Sequence, residues 1–267
     1  MTKTRASSFQ MQGGMSESIR SFLAFTTSPQ PKMLPLMRQL GLIEPKTPKS
    51  SASALFLTEL GERIRHLALE APGLFPEAMH LLLYGAHLSD QTKRFSWAYA
   101  YVVGELWTRG ETALNTHRLC ELALDTVHEA HIHLGVPFDK ITFGIAGIRG
   151  ILNWLRELDP PVLLNSNKSL CFKRRHYCHP LSFLWAVDLL YNKEAFPTGV
   201  RMLLTPERAE ELCKTCLLDP SVLEDILKLA KRASDYAKGG MFDYGFEGGR
   251  GMWIFLRAPL PVAALPD

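Results

Sequence analysis

Two stretches decide the fold: LMRQLGLIE at residues 36–44 and LFLTELGERI at residues 55–64. Leu36 and Leu40 are four residues apart, so a helix would place both on the same face. Gly41 follows the last apolar position, which is the usual place for a residue that stops a helix in the left-handed conformation. The first stretch therefore predicts a helix that ends at Gly41 and a chain that reverses into a strand.

The second stretch predicts the return strand of a hairpin and a further helix. Leu55–Leu57 is a short apolar piece, and Thr58 stands where a helix N-cap is expected, before a helix over residues 59–69. The loop that separates the two strands carries Lys46 and Lys49. With an amphipathic helix over residues 16–25, the predicted order is helix, turn, helix, strand, basic loop, strand, helix.

This order, together with the words LGLIE and LTELG, resembles the winged helix-turn-helix superfamily. The resemblance implies that the second helix enters the major groove of DNA and that the hairpin loop contacts the backbone or the minor groove. It puts Gln30, Lys32 and Arg38 on or near that helix, as candidates for base edges, with phosphate as the alternative for Arg38. The residues that it assigns to phosphate are Ser28, Lys46 and Lys49.

Three prolines depart from an ordinary recognition helix. Pro29 or Pro31 can occupy the first turn, where a missing N–H costs no hydrogen bond. Pro35 inside the helix would cost about 3 kcal/mol and kink the axis. We therefore expect a helix that begins late, near Lys32, or one that is bent.

A second segment repeats the order of elements. Residues 143–158 form an amphipathic helix in which Arg149, Asn153 and Arg156 share one face, and residues 162–164 and 170–172 form a hairpin. No acid interrupts residues 165–179, so we expect cationic contacts with phosphate there. The cations of that stretch are Lys168, Lys173, Arg174 and Arg175.

The layout of residues 16–191 is also similar to an uncharacterised winged-helix family from prokaryotic phage-defence loci. The shared features are the words GLIE, LTELG and LLLY and a helix that contains tryptophan. The chain lacks the Gly-His-x-Thr-Phe-like word near the N-terminus that is usual in that family. The similarity implies a role in a prokaryotic defence or regulatory system.

Composition excludes several classes of protein. Hydrophobic residues make up 46% and charged residues 21%, which excludes a disordered chain. No apolar run reaches the length of a membrane span, and the polar start of the sequence does not read as a secretion signal. We therefore expect a cytoplasmic protein without membrane partners. Net charge is only +3, so the positive charge that matters is local.

The five cysteines predict reduced thiols, because an odd number without a secretion signal argues against a disulfide framework. Cys213 and Cys216 form a C-x-x-C, and with Cys171 and Cys178 they offer four sulfurs to zinc. Their spacing favours buried thiols over a metal site. The sequence alone does not decide whether these four cysteines bind zinc. Motifs of serine hydrolases, zincins and P-loop proteins are missing from the sequence, so we predict neither catalysis nor a cofactor.

The predicted fold is mostly α with short β-hairpins, as tandem winged-helix-like modules joined by helices. The predicted function is binding of nucleic acid, DNA rather than RNA. The alternatives are a non-catalytic structural subunit of a multiprotein or nucleoprotein complex, which binds proteins through its winged helices, and an enzyme of unrecognised type. The predicted segments are a flexible tail (1–15), a winged-helix module (16–70), a helical connector (71–135), a second winged-helix-like module (136–195) and a C-terminal helical and hairpin region (196–267).

Overall fold

The computed structural model describes residues 34–45, 55–90, 93–166, 169–236, 240–249 and 251–265. The chain is mostly α-helical with short antiparallel strand pairs and small sheets, which confirms the predicted fold class. It forms two compact units, Met1–Pro76 and Glu77–Asp267. Among the described residues, no helix is long and apolar enough to cross a membrane.

The first unit follows the local signals of its sequence. Its elements are α1 (Leu34–Gln39), β1 (Ile43–Pro45), β2 (Leu55–Leu57), α2 (Glu59–Glu70) and a 3-10 turn (Pro72–Leu74). The two strands pair antiparallel, with Ile43 opposite Leu57. Gly41 has a φ of +69°, as the predicted helix stop requires. Pro35 is the second residue of α1 as described, where a missing N–H costs no hydrogen bond.

Thr58 and Gly61 join the hairpin of this unit to α2. The Thr58 hydroxyl accepts a hydrogen bond from the Gly61 N–H at 3.1 Å and donates to the carbonyl oxygen of Gly41. Gly61 lies against the hairpin so closely that an added Cβ would be 2.0 Å from the Leu42 carbonyl oxygen. The predicted cap is therefore confirmed, and α2 is held to the end of α1 by both polar contact and close packing.

The second unit opens with four helices and a small sheet. The elements are α3 (Phe75–Ser89, whose first two residues belong to the first unit), α4 (Arg94–Arg109), β3 (Thr112–Ala113), α5 (Thr116–Leu134), α6 (Ile145–Leu155), β4 (Leu163–Ser166) and β5 (Ser169–Phe172). The strands form one antiparallel sheet in the order β3-β5-β4. Helix α5 begins only at Thr116, because Thr112 and Ala113 pair with β5 and Asn115 caps the helix.

The rest of this unit packs around a buried helix. The elements are α7 (Pro180–Lys193), β6 (Arg201–Leu203), α8 (Pro206–Thr215), α9 (Leu223–Tyr236), β7 (Phe242–Glu247) and β8 (Gly251–Leu256). All residues from Leu181 to Asp188 in α7 are buried. Strands β7 and β8 pair antiparallel as the hairpin predicted within residues 196–267, and β6, which the sequence analysis did not predict, completes the sheet in the order β6-β8-β7.

Candidate nucleic-acid interface

Helix α6 carries three polar side chains into the solvent because its other face is apolar. Ile148, Ile151 and their neighbours at helical spacing are almost fully buried, which fixes the rotation of the helix about its axis. Three exposed polar residues are left on the outer side: Arg149 and Asn153 in the helix and Arg156 at its C-cap. The prediction that these three share one face is confirmed.

The same three residues line a groove of about 480 Å³. The opposite wall is the start of α5, with Asn115 and Thr116, and the remaining lining residues are leucines from α5, α6, β5 and the connection between β3 and α5. Arg156 donates a hydrogen bond to the Asn153 side-chain oxygen at 3.2 Å. The groove therefore presents two guanidinium groups and an amide side by side.

The electrostatics of this groove favour an anion. Among its described lining residues none is acidic, and Arg149 and Arg156 form no ion pair with any described residue. The N-terminus of the 19-residue helix α5 opens at the same place and adds the partial positive charge of its free N–H groups. Asn115 satisfies one of them by accepting a hydrogen bond from the Arg118 N–H at 2.9 Å. The groove therefore presents hydrogen-bond donors and positive charge on one surface, a combination that suits an anionic partner.

Arg175 was predicted to contact phosphate, and that prediction is wrong. Its side chain is 1% exposed, and the guanidinium donates to both carboxylate oxygens of Glu77, at 2.5 and 2.8 Å. Its Nε also donates to the Cys216 carbonyl oxygen at 2.8 Å. Burial, the largest single influence, lowers the pKa of Arg175, but the charge of Glu77 and the hydrogen bonds to it act together to raise the pKa above its usual value. Arg175 therefore cross-links the core of the second unit.

His80 lies in the same buried network. Its Nε2 is 2.8 Å from the Thr215 carbonyl oxygen, and its Nδ1 is 2.8 Å from the Tyr99 hydroxyl. Because a carbonyl only accepts, Nε2 must carry the proton, and Nδ1 then accepts from Tyr99. Burial lowers the pKa of His80 to about 4, so the ring is neutral at neutral pH.

The other two cations of the predicted cluster have different surroundings. The Arg174 guanidinium lies 4.3 Å from the centre of the Trp107 ring and donates to the Trp107 carbonyl oxygen at 2.8 Å. Lys173 is exposed, and its backbone N–H donates to the Val162 carbonyl oxygen at 2.8 Å. Of the three consecutive cations, only Lys173 keeps a side chain that solvent surrounds.

The interface predicted for the first unit is described only at Arg38, which is exposed on α1. Six other predicted contacts lie outside the described residues: Ser28, Gln30, Lys32, Lys46, Lys49 and Lys168. The start of α5 belongs to the groove and was missed from the sequence, although an asparagine before Thr116 is a usual N-cap signal.

The cysteines were the candidate zinc ligands. None of the five forms a disulfide, and Cys178, Cys213 and Cys216 are buried. Burial raises the pKa of Cys213 to about 12, which disfavours the thiolate that zinc requires. Among the described residues, no three His, Cys, Asp or Glu side chains are placed to hold a metal ion.

A comparison of the chain with protein-family models, curated proteins and solved structures finds no match.

Proposed function

We propose that the protein binds duplex DNA through the groove of α6, as a non-catalytic, cytoplasmic component of a prokaryotic defence or regulatory system. The observation that carries the proposal is the outward face of α6, where two arginines without ion partners among the described residues and one asparagine line a groove without acidic lining residues. Guanidinium and amide groups are the side chains that pair bidentately with base edges in the major groove.

The order of elements supports a winged-helix module over residues 94–172. In this module, α4 is the first helix, α5 and α6 are the helix pair, and β4 and β5 are the hairpin, with β3 as the third strand on the far side of β5. The module therefore begins at α4, inside the segment that the sequence suggested as a connector. Such a fold inserts the second helix of the pair, here α6, into the major groove.

The dimensions of α6 fit this use. Arg149 and Arg156 are seven residues apart, so they are separated along the helix axis by about 10 Å, close to the rise of three base pairs. Asn153 lies between them on the same face. In our proposal these three side chains contact bases, and the N-terminus of α5 and Lys173 contact phosphate, which positions the helix without reading sequence.

The test is fluorescence polarisation with a labelled duplex of mixed sequence at two salt concentrations. The double variant Arg149→Glu/Arg156→Glu should lose more than tenfold in affinity, because two attractive charges become repulsive. Arg232→Glu is the matched control, since Arg232 is an exposed arginine of α9 outside the groove. Lys173→Ala should reduce the slope of log K against log salt by about 1, the contribution of one phosphate contact.

Two outcomes would overturn the proposal. The first is a groove variant that binds duplex as tightly as the unchanged protein. The second is a loss in log K for Arg232→Glu of about half that of the double variant, which would mean that total charge alone governs binding, because Arg232→Glu reverses one charge and the double variant reverses two.

A second candidate function is that of a structural subunit that contacts other proteins. The observation in its favour is an exposed apolar stripe on α5, where Leu124 and Ile132 are eight residues apart and 70% and 56% exposed, with Phe138 beyond them at 52%. Apolar residues at this spacing are typical of a helix that packs against a partner. This function would be favoured if the unchanged chain co-purifies stably with another protein and Leu124→Asp abolishes the co-purification. It would be excluded if the unchanged chain purifies as a monomer.

A further inference from the structure

A second cavity, of about 360 Å³, lies between α4, α5 and the start of α6. This cavity is separate from the groove of α6, since the two have no lining residue in common. Its walls are aromatic and aliphatic, and include Phe95, Ala130, Leu134, Ile141 and Phe143. This volume lies at the lower end of the range of small-molecule sites, which are mostly apolar with a few polar groups that fix orientation.

Two cations flank these apolar walls. Arg94, the first residue of α4, and Lys140, in the turn before α6, both line the cavity and are exposed. Within the described part of the chain, neither forms an ion pair, and no acidic residue is among the lining residues. An occupant with an apolar body and one negative charge would therefore match both the walls and the charges.

Phe143 forms the wall on the side of α6. Its ring packs on the backbone of that helix, since a Cβ added to Gly147 would be 2.7 Å from the ring. The Phe143 ring therefore packs against α6 and also lines the cavity. A flat aromatic ligand in the cavity can stack on the Phe143 ring in the offset arrangement that aromatic pairs prefer.

We propose that this cavity binds a small aromatic monocarboxylate, with its ring between Phe95 and Phe143 and its carboxylate at Arg94 and Lys140. The inference goes beyond DNA binding and does not depend on it, because its test measures binding of the small molecule directly.

The experiment is calorimetric titration of the full chain with 2-naphthoate and with 2-naphthamide, which has nearly the same shape and no charge. Naphthoate should bind about fivefold more tightly, the effect expected of two partly screened charges at a surface. In Arg94→Gln/Lys140→Gln this preference should disappear while the affinity for naphthamide stays the same. Arg232→Gln, which removes a charge elsewhere, should keep the preference.

A third variant tests the location of the site. Ala130→Leu adds volume inside the cavity, and it should weaken both compounds while leaving their ratio unchanged. Equal affinity for the two compounds, failure of naphthoate to bind at millimolar concentration, or a preference that survives loss of both cations would overturn the proposal. Since Arg94 and Lys140 are exposed, their replacement should not affect folding, so the result stands even if Ala130→Leu does not fold.

Discussion

Replacing Glu77 by Gln should destabilise the second unit by about 3–5 kcal/mol, the usual cost of breaking a buried ion pair. The structure explains the size of this effect, because Arg175 is almost fully buried and both of its terminal nitrogens donate to Glu77. A guanidinium cannot lose its proton in a protein, so the charge would stay in the core without its partner at any pH.

The double variant Glu77→Met/Arg175→Met should recover much of that loss, because it removes both charges and fills the space with apolar groups. It should still be less stable than the unchanged protein by about 1–3 kcal/mol. The reason is that the Cys216 carbonyl oxygen, which accepts from Arg175 at 2.8 Å, would be left buried without this donor. The two results together separate the cost of an unpaired charge from the net worth of the pair.

Urea unfolding followed by tryptophan fluorescence measures these values for the second unit alone. All five tryptophans lie between residues 97 and 253, and residues 1–76 contain neither tryptophan nor tyrosine. Lys228→Met is the matched control, because it breaks an exposed pair with Glu224 at 2.9 Å and should leave the free energy of unfolding almost unchanged. A loss in Glu77→Gln no larger than that of the control would refute the reasoning.

Three further predictions concern other parts of the chain. The pKa of His80 is lowered from 6.5 to about 4 in the folded state, so as the pH falls the unfolded chain binds the proton before the folded chain does. The free energy of unfolding of the second unit should therefore be highest above pH 6.5 and fall by roughly 3 kcal/mol towards pH 4. Urea unfolding at several pH values should show that the free energy of unfolding falls less in His80→Gln. In His117→Gln, the control at an exposed residue, it should fall as much as in the unchanged protein. Gly61→Ala should destabilise the first unit by about 1–3 kcal/mol, since its Cβ would collide with the Leu42 carbonyl oxygen. Amide exchange over residues 55–70 should become faster, while the unfolding transition reported by tryptophan stays the same. Asn115→Ala should lower stability of the second unit by about 1 kcal/mol in the urea assay, through loss of the α5 cap, and an unchanged midpoint would contradict this role.

The features that the sequence predicted are those that depend on neighbouring residues. Gly41 ends a helix at positive φ, Thr58 caps the next helix, and the hairpin between them pairs as expected. Each of these is set by residues no more than about four positions away, apart from the hairpin itself. The outward face of α6 belongs to the same class, because the spacing of Arg149, Asn153 and Arg156 fixes their common side once the helix forms.

The features that the sequence did not predict depend on residues far away in the chain. Asn115 is a local signal for the start of α5, but nothing near Thr112 and Ala113 indicates a strand, and only their pairing with Phe172 and Cys171, far along the chain, makes them one. Likewise, Glu77 and Arg175 are 98 residues apart, so no local window indicates that the arginine has a buried partner.

The position of the run Lys173-Arg174-Arg175 nevertheless predicts that its two arginines point in different directions. It follows strand β5, and in an extended segment successive side chains point to opposite faces. Arg174 and Arg175 could therefore not both face the same polyanion, whatever their partners. In the structure, Arg174 packs on Trp107 and Arg175 enters the core. Lys173 stays exposed although it lies two residues before Arg175, so alternation does not explain this difference, which follows from the buried partner Glu77 of Arg175. A run of cations predicts a single binding surface only where the backbone repeat returns them to one side, as the helix α6 does for Arg149 and Arg156.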